Sequence, residues 1–321
     1  MKYRRLGDAG VKVSEISLGG WLTFGNALAR DDGREVIDAA FDNGINFFDT
    51  ANIYAQGACE ELWGELLQRY TRSDYVLATK VFGPMGDGPN DKGCSRKHIT
   101  EQIHASLRRL RTDYVDLYQC HRFDDETPLE ETMSTMDDLV RQGKILYWGF
   151  SEWPAERIRE AMLLYQGRGL ERPRSSQPQY SIIWRDIEEE VLPVCDREGI
   201  GQIVWSPLGQ GVLTGKYRPG QEPPPGSRAA DEKQNQFIKE RVHDKDLLER
   251  ILKLEPIAKE AGLTMAQLAL AWCLRHKGMS SCIIGATRAE QVVENCGASG
   301  RTLPPEVLDK IDELFPPKAA K

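Results

Sequence analysis

Short apolar runs alternate with longer stretches of helical periodicity along most of the chain, from about residue 31 onward. This alternation is typical of parallel strands that are joined by crossover helices. One further apolar run precedes it and is predicted to open the same sheet. The eight predicted strands are Ile16–Gly19, Ile45–Asp49, Tyr75–Lys80, Val115–Gln119, Ile145–Ser151, Ser176–Gln179, Gly201–Ser206 and Ser281–Gly285.

Most of the stretches between these strands carry apolar residues at intervals of three and four, which gives each of them one face to pack on a sheet. The predicted helices are Arg34–Asn43, Glu60–Tyr70, Arg96–Leu110, Leu129–Gln142, Pro154–Tyr165, Glu188–Arg197, Asp246–Ala261, Thr264–Lys277 and Ala289–Cys296. The units follow one another without a long linker, and no Gly-x-Gly-x-x-Gly fingerprint follows the first strand. Both observations favour one closed barrel over a doubly wound sheet with a second domain. We therefore expect a single-domain (β/α)8 TIM barrel over residues 1–321.

Two segments lie outside this repeat. Leu6–Val13, with its Asp8-Ala9-Gly10 turn, is predicted to be an N-terminal β-hairpin that covers the bottom of the barrel. The segment from Gly209 to about Lys245 contains Pro-Gly and Pro-Pro-Pro-Gly and many charged residues, and is predicted to be a long irregular loop. Loops of this length in compact domains are usually functional lids or disordered.

The charge pattern excludes several classes of function. The net charge is −7, and acidic residues are interleaved with Lys and Arg, so we expect neither nucleic acid nor an anionic membrane as a partner. The first residues contain no apolar stretch, which argues against a secretory signal and a membrane span and favours a cytoplasmic enzyme. The seven cysteines are scattered without a Cys-x-x-Cys pair, so we interpret them as reduced packing residues and predict no metal site.

Polar residues end several of the predicted strands. In a (β/α)8 barrel the active site forms at the carboxyl ends of the strands, so these residues are the candidates for chemistry. They are Asp49, Lys80, His121, Ser151, Gln179, Trp205 and Ser206, with Tyr54 in the loop directly after Asp49.

The combination of Tyr54, Lys80, Asp49 and His121 suggests proton transfer to a carbonyl oxygen. A phenol is a weak acid at neutral pH unless a neighbouring ammonium group lowers its pKa, and Lys80 is expected to supply that charge. Asp49 would keep Lys80 protonated, while His121 would donate or orient a hydrogen bond at the substrate oxygen. Taken singly, each residue has an ordinary interpretation as a capping, surface or packing residue. Their joint position at one end of three consecutive strands favours the chemical interpretation.

The string Asn46-Phe47-Phe48-Asp49-Thr50-Ala51, followed by Tyr54, Gly57 and Glu60, resembles the signature of the aldo-keto reductases. The resemblance extends over practically the whole chain, and Asp49, Tyr54, Lys80 and His121 coincide with the catalytic tetrad of that superfamily. It is closest to the branch of bacterial aldo-keto reductases and voltage-gated potassium channel beta subunits. Further strings support this branch: Leu18–Gly25, His121-Arg122, Gly143–Ile145, Trp205–Leu208, Ile284–Thr287, Gln291 and Glu294-Asn295.

The resemblance implies NADP(H) as the cofactor of a carbonyl reductase in which Tyr54 is the general acid. The residues that it assigns to the nicotinamide end are Gly20, Trp21, Asp49, Ser151, Gln179 and Trp205. Those assigned to the pyrophosphate are Ser206, Pro207, Leu208, Lys216 and Arg228, and those assigned to the adenosine end are Gly285, Thr287, Arg288, Gln291, Glu294 and Asn295. The hydroxyl of Thr287 and the cation of Arg288 suit a 2′-phosphate, which favours NADPH, although the same residues also fit a helix cap with a solvent-facing Arg.

The substrate pocket is predicted to be aromatic, which suits aromatic aldehydes or sugar-like rings. Its predicted residues are Trp21, Tyr54, Phe82, Trp153 and Trp184, of which Trp153 and Trp184 fit core packing equally well. Small sugar aldehydes and methylglyoxal remain alternatives.

Two positions bear on how closely the chain follows the branch. Glu152 stands where relatives usually carry Asn or Arg, and we leave it out of the cofactor set because a carboxylate close to phosphates would repel them. His121 stands where the channel beta subunits carry Asn, which argues for a working reductase.

Two other functions remain open. One is an NADPH-sensing regulatory module that resembles the potassium channel beta subunits, and the other is a lyase or isomerase that uses Lys80 as a Schiff base. Relatives in this branch commonly form tetramers or larger rings, so by analogy we expect a homo-oligomer that acts on a small-molecule carbonyl substrate.

Overall fold

The computed structural model describes residues 1–232, 235 and 238–317. Eight parallel strands form a closed barrel in which each strand pairs with its chain neighbour and the last strand returns to the first. The ring closes where Cys282 and Ile284 of the last strand pair with Ile16 and Leu18 of the first. The predicted (β/α)8 barrel is therefore confirmed.

The strand bounds match most of the apolar runs in the sequence. The N-terminal hairpin consists of β1 (Tyr3–Arg5) and β2 (Lys12–Ser14). The barrel strands are β3 (Ile16–Gly19), β4 (Phe47–Asp49), β5 (Val76–Val81), β6 (Val115–Cys120), β7 (Ile145–Ser151), β8 (Ser175–Gln177), β9 (Gly201–Val204) and β10 (Met279–Ile284).

Helices surround the barrel, and all of them except Lys239–His243 contain buried residues. They are α1 (Arg30–Asp42), α2 (Ala58–Leu66), α3 (Arg96–Leu110), α4 (Leu129–Arg141), α5 (Ala155–Arg168), α6 (Val191–Glu198), α7 (Lys239–His243), α8 (Lys245–Leu252), α9 (Leu254–Glu260), α10 (Met265–Leu274), α11 (Ala289–Cys296) and α12 (Pro305–Leu314). The single helix predicted over Asp246–Ala261 is two helices, because Pro256 has no N–H to continue the hydrogen-bond ladder across the break. Among the described residues, no helix combines the length and the apolar character needed to cross a membrane.

The hairpin closes the bottom of the barrel with apolar side chains. Leu6 and Val13 are fully buried and pack in one cluster with Phe47, Leu117 and Ile203 from the barrel strands. The hairpin was predicted over Leu6–Val13. Its strands are Tyr3–Arg5 and Lys12–Ser14, so most of the predicted segment is the connection between them. Because the bottom is plugged, the other end of the barrel, where the strands terminate, is left for a ligand.

The segment after β9 is less irregular than predicted. It contains short helical turns at Gly209–Thr214 and Arg228–Ala230 before α7. Residues 233, 234, 236 and 237 of the predicted loop lie outside the described residues. All seven cysteines are free and six are buried, which agrees with their interpretation as packing residues.

Candidate active site

A cavity of about 1060 Å³ opens at the carboxyl ends of the barrel strands. Its floor includes Asp49, Ser151 and Gln177, each the last residue of its strand. A volume near the upper end of the range of about 300–1,000 Å³ for ligand pockets is suited to a large, extended ligand.

Asp49 and Lys80 form a buried ion pair beneath this floor. They lie on the adjacent parallel strands β4 and β5, and the Lys80 ammonium donates to Oδ2 of Asp49 at 2.6 Å and to the carbonyl oxygen of Thr50 at 2.7 Å. Lys80 is completely buried. A buried ammonium group is tolerated only when it is paired and hydrogen-bonded, and here both conditions are met.

Tyr54 is held over this pair by an unusual turn. Its hydroxyl lies 3.3 Å from Nζ of Lys80. The next residues, Ala55 and Gln56, have φ values of 48° and 52°, and Gly57 has 94°, so the chain is left-handed over three successive positions. Strained backbone of this kind persists where the surrounding structure enforces it, and it occurs preferentially at functional sites.

His121 completes the group from the end of β6. Its ring lies edge-on to that of Tyr54, with 5.6 Å between the ring centroids. Tyr54, His121 and Asp49 all line the cavity. The structure thus brings together the four residues that the sequence placed at three strand ends.

The protonation states follow from burial and neighbouring charges. Burial opposes the charged form of Lys80, but Asp49 and Tyr54 outweigh it, so its pKa is raised. Burial, with Lys80 and Arg122 nearby, holds the pKa of His121 well below its ordinary value, which leaves the imidazole neutral. Burial also raises the pKa of Tyr54, since the lowering effect of Lys80 is partly cancelled by Asp49. Lys80 acts on the pKa of Tyr54 in the expected direction, but burial outweighs it and the net shift is upward.

The second oxygen of Asp49 has partners that were not predicted. Gln177 Nε2 donates to Oδ1 of Asp49 at 2.8 Å, and Gln119 Nε2 lies 3.4 Å from the same oxygen. Gln177 lines the cavity, whereas Gln179, to which the nicotinamide carboxamide was assigned, does not. The sequence signal that could have shown this is Pro178. Proline cannot donate to the hydrogen-bond ladder, and β8 therefore ends at Gln177.

Most residues of the predicted cofactor set share this cavity. Those that line it are Trp21, Asp49, Ser151, Trp205, Ser206, Pro207, Leu208, Lys216, Arg228, Gly285, Thr287, Arg288, Gln291, Glu294 and Asn295. Gly20 does not line it, because it packs against the protein interior, where an added Cβ would lie 2.5 Å from Sγ of Cys59.

One end of the cavity is strongly cationic. Burial lowers the pKa of Lys216, and the charges of Arg228 and Arg288 lower it further, so both guanidinium groups lie close enough to repel the Lys216 ammonium. Within the described part of the chain, none of the three forms a salt bridge. Converging cations are suited to an anionic ligand such as a phosphate group.

The aromatic substrate pocket is only partly present. Trp21 and Tyr54 line the cavity, but Phe82, Trp153 and Trp184 do not. Trp153 is buried, stacked on Phe150 at a centroid distance of 4.7 Å, so its alternative interpretation as core packing applies. Trp184 is exposed outside the cavity with the guanidinium of Arg241 over its ring.

Residues that had not been predicted take their place at this end of the cavity. They are Leu22, Thr23, Ile53, Ala55 and Arg122. Arg122 follows His121 directly in the chain, and the sequence signals that could have indicated a role are its charge and its place in the string His121-Arg122.

The profile of the aldo/keto reductase family matches residues 15–315. The chain is 45% identical over 323 aligned positions to a protein named as a probable voltage-gated potassium channel subunit beta from Arabidopsis thaliana, with 99% of this chain and 98% of the relative covered. A protein of the same name from Oryza sativa is 44% identical with the same coverage. A putative voltage-gated potassium channel subunit beta from Schizosaccharomyces pombe is 42% identical, with 98% of this chain and 93% of the relative covered. On the match of the family profile and of these full-length relatives, the chain belongs to the aldo/keto reductase family.

Proposed function

We propose that this protein reduces aldehydes or ketones to alcohols, with NADPH as the hydride donor and Tyr54 as the proton donor. The observation that carries the proposal is the hydrogen-bonded series Asp49, Lys80 and Tyr54, which ends at a cavity wall beside neutral His121. Membership of the aldo/keto reductase family supports an oxidoreductase of this kind.

The cavity fits a dinucleotide by the chemistry of two groups of residues. The cations Lys216, Arg228 and Arg288 suit phosphate groups. Trp205 presents a ring, with Trp21 edge-on to it at a centroid distance of 6.2 Å, and an indole face suits a planar heterocycle. The two groups meet where the Arg228 guanidinium lies 5.4 Å from the centroid of the Trp21 ring. When bound in this orientation, NADPH supplies the hydride to the carbonyl carbon.

The protein's own groups provide the proton and stabilise the developing charge. With its pKa raised, Tyr54 keeps its proton at neutral pH, as a proton donor must. The ammonium of Lys80, 3.3 Å away, stabilises the phenolate that forms when Tyr54 gives up this proton. Neutral His121 donates an N–H to the carbonyl oxygen of the substrate, where negative charge accumulates.

The protonation of Lys80 also argues against a Schiff base at this residue. A lysine attacks a carbonyl as the neutral amine, and its pKa must therefore be depressed. Here the pKa of Lys80 is raised. Its ammonium group is buried and donates hydrogen bonds to Asp49 and to the carbonyl oxygen of Thr50.

A second candidate is a regulatory module in which NADPH occupancy is reported to a partner and turnover is incidental. The names of the relatives at 42–45% identity favour it. By the same analogy we propose a homo-oligomer of four or more copies, which sedimentation equilibrium tests directly.

The deciding experiment is NADPH oxidation by the purified protein with 4-nitrobenzaldehyde, beside Tyr54→Phe and the matched control Tyr3→Phe. Tyr3 is exposed on the hairpin at the other end of the barrel and bonds only the carbonyl of Gly44 among described residues. We expect Tyr54→Phe to lose turnover by roughly 100-fold or more while still binding NADPH, and Tyr3→Phe to match the wild type. Tight NADPH binding without turnover across a broad carbonyl panel would favour the regulatory module instead.

A further inference from the structure

Arg122 places a positive charge at the end of the cavity where Tyr54 and His121 lie. It follows His121 directly in the chain, just beyond the end of β6, and all three residues line the cavity. Its guanidinium donates to the carbonyl oxygen of His121 at 2.6 Å. Within the described residues Arg122 forms no salt bridge, so most of its N–H donors are available at the mouth.

The other groups at this end do not match that charge. Trp21, Leu22, Ile53 and Ala55 contribute apolar or aromatic surface. The nearby carboxylate of Asp49 is already paired with the ammonium of Lys80. His121 is neutral at pH 7, because burial and its cationic neighbours depress its pKa.

Three other cations line the same cavity. Lys216 lies near Arg228 and Arg288, and the group is suited to the phosphates of the cofactor, although the Arg228 guanidinium also lies 5.4 Å from the centroid of the Trp21 ring. Among the described residues that line the cavity, Arg122 is the cation that is hydrogen-bonded to His121, through its carbonyl oxygen. A single guanidinium fork matches the two oxygens of a carboxylate in a bidentate pair.

We propose that Arg122 is a specificity-determining residue, and that the preferred substrates are aldehydes or ketones that carry a carboxylate, such as oxo acids and carboxybenzaldehydes. The carbonyl oxygen of such a substrate meets Tyr54 and His121, and its carboxylate meets the guanidinium of Arg122 nearer to the solvent. This inference rests on the proposed carbonyl reduction, since it names the substrate class of the same site.

The test compares 4-carboxybenzaldehyde with its methyl ester at saturating NADPH, using the wild type, Arg122→Met and Arg122→Lys. The readout is the ratio of kcat/KM for the acid to kcat/KM for the ester. Arg122→Met keeps an unbranched side chain but no charge, so we expect this ratio to fall roughly 10- to 100-fold, mostly through KM for the acid. Arg122→Lys keeps the charge without the fork and is expected to give an intermediate ratio. Arg5→Met, at an exposed site on the hairpin, is the matched control for the substitution.

An unchanged acid-to-ester ratio in Arg122→Met would overturn the proposal, as would equal losses on both substrates. If the wild type reduces neither aldehyde, the proposed carbonyl reduction is contradicted. The role of Arg122 can then still be tested by a binding measurement. Binding of 4-carboxybenzyl alcohol to the protein saturated with NADP⁺, measured by calorimetry, would then be weakened in Arg122→Met if Arg122 recognises the carboxylate. Equal binding by the two proteins would contradict it.

Discussion

The carboxylate of Glu152 accepts a hydrogen bond of 2.7 Å from the indole Nε1 of Trp205. The same oxygen accepts the backbone N–H of Gln179 at 2.6 Å. Glu152 adopts a φ of 56°, and this left-handed turn directs its side chain across β8 toward Trp205. The residue that had been set aside as unfavourable for phosphates therefore holds an aromatic wall of the cavity, and two N–H donors stabilise its charge.

Replacing Glu152 with Ala removes both hydrogen bonds and leaves the indole of Trp205 free to tilt. Each such bond contributes about 1 kcal/mol, so we expect KM for NADPH to rise roughly 5- to 10-fold. Glu152→Gln retains an acceptor oxygen and is expected to remain close to the wild type. NADPH titration of both variants, with the Trp205 indole N–H resonance as a reporter, makes the comparison. If Glu152→Gln were impaired as strongly as Glu152→Ala, the negative charge would matter rather than the hydrogen bonds.

The pair of Asp49 and Lys80 predicts a strong coupling in stability. Asp49→Asn leaves a buried ammonium group without its counter-charge, and we expect it to lower the free energy of unfolding by about 3 to 5 kcal/mol. Lys80→Met leaves the Asp49 carboxylate with hydrogen bonds from Gln177 and Gln119 but no cation. The double variant buries no unpaired charge. We therefore expect its loss of unfolding free energy to be smaller than the sum of the losses in the two single variants. Urea unfolding of the four proteins measures this coupling, and strictly additive losses would contradict it.

The protonation states predict a flat pH profile for the reduction of carbonyls. The pKa of His121 lies below its ordinary value of 6.5, so this residue gains a charge only at lower pH. The pKa of Tyr54 lies above its ordinary value of 10.0, so most of the proton donor is retained about one unit below that pH. We therefore expect kcat/KM for the aldehyde to stay constant between about pH 7 and pH 9.

The matched variant for this profile is His121→Asn, which keeps an N–H donor but does not titrate. Its profile over the same pH range should run parallel to that of the wild type at a lower level. A fall in the wild type near pH 7 that His121→Asn lacks would show that His121 titrates in this range.

The sequence sufficed for the barrel because most of its strands are buried on both sides and are rich in apolar residues, although β8 is the polar run Ser175–Gln177. The convergence of Asp49, Lys80 and His121 followed from the fold, since parallel strands bring their carboxyl ends to one edge. The last residues of β8 and β9 were misjudged. Pro178 ends β8 early, and β9 ends at Val204, before Ser206 with its left-handed φ of 53° and the proline that follows.

The walls of the cavity above the carboxyl ends of the strands could not be predicted in the same way. Whether Trp153 faces the substrate or the core depends on one backbone angle, the positive φ of Glu152, which no periodicity encodes. That angle sends Trp153 against Phe150 and Glu152 toward Trp205. Of the two interpretations of Trp153, core packing therefore applies, and the hydrogen bonds that give Glu152 a role at the cavity wall depend on contacts that the sequence does not show.

The cationic end of the cavity predicts a preference between the two nicotinamide cofactors. Arg288 precedes α11 and is assigned to the 2′-phosphate, which NADPH carries and NADH lacks. We expect Arg288→Ala to raise KM for NADPH roughly 10- to 100-fold and to change KM for NADH by less than about threefold. Steady-state kinetics with both cofactors at a fixed aldehyde concentration measure this difference.

Lys216→Ala is the matched control, because Lys216 is assigned to the pyrophosphate that both cofactors share. Removing its charge should raise KM for NADPH and for NADH by the same factor, and so leave the ratio between them unchanged. Burial and the proximity of Arg228 and Arg288 depress the pKa of Lys216, so removing Lys216 also removes a desolvation cost and a repulsion that oppose folding. Lys216→Ala is therefore expected to unfold at a higher temperature than the wild type without cofactor and to gain less from added NADPH. Equal effects of Arg288→Ala on the two cofactors would instead assign Arg288 to the pyrophosphate.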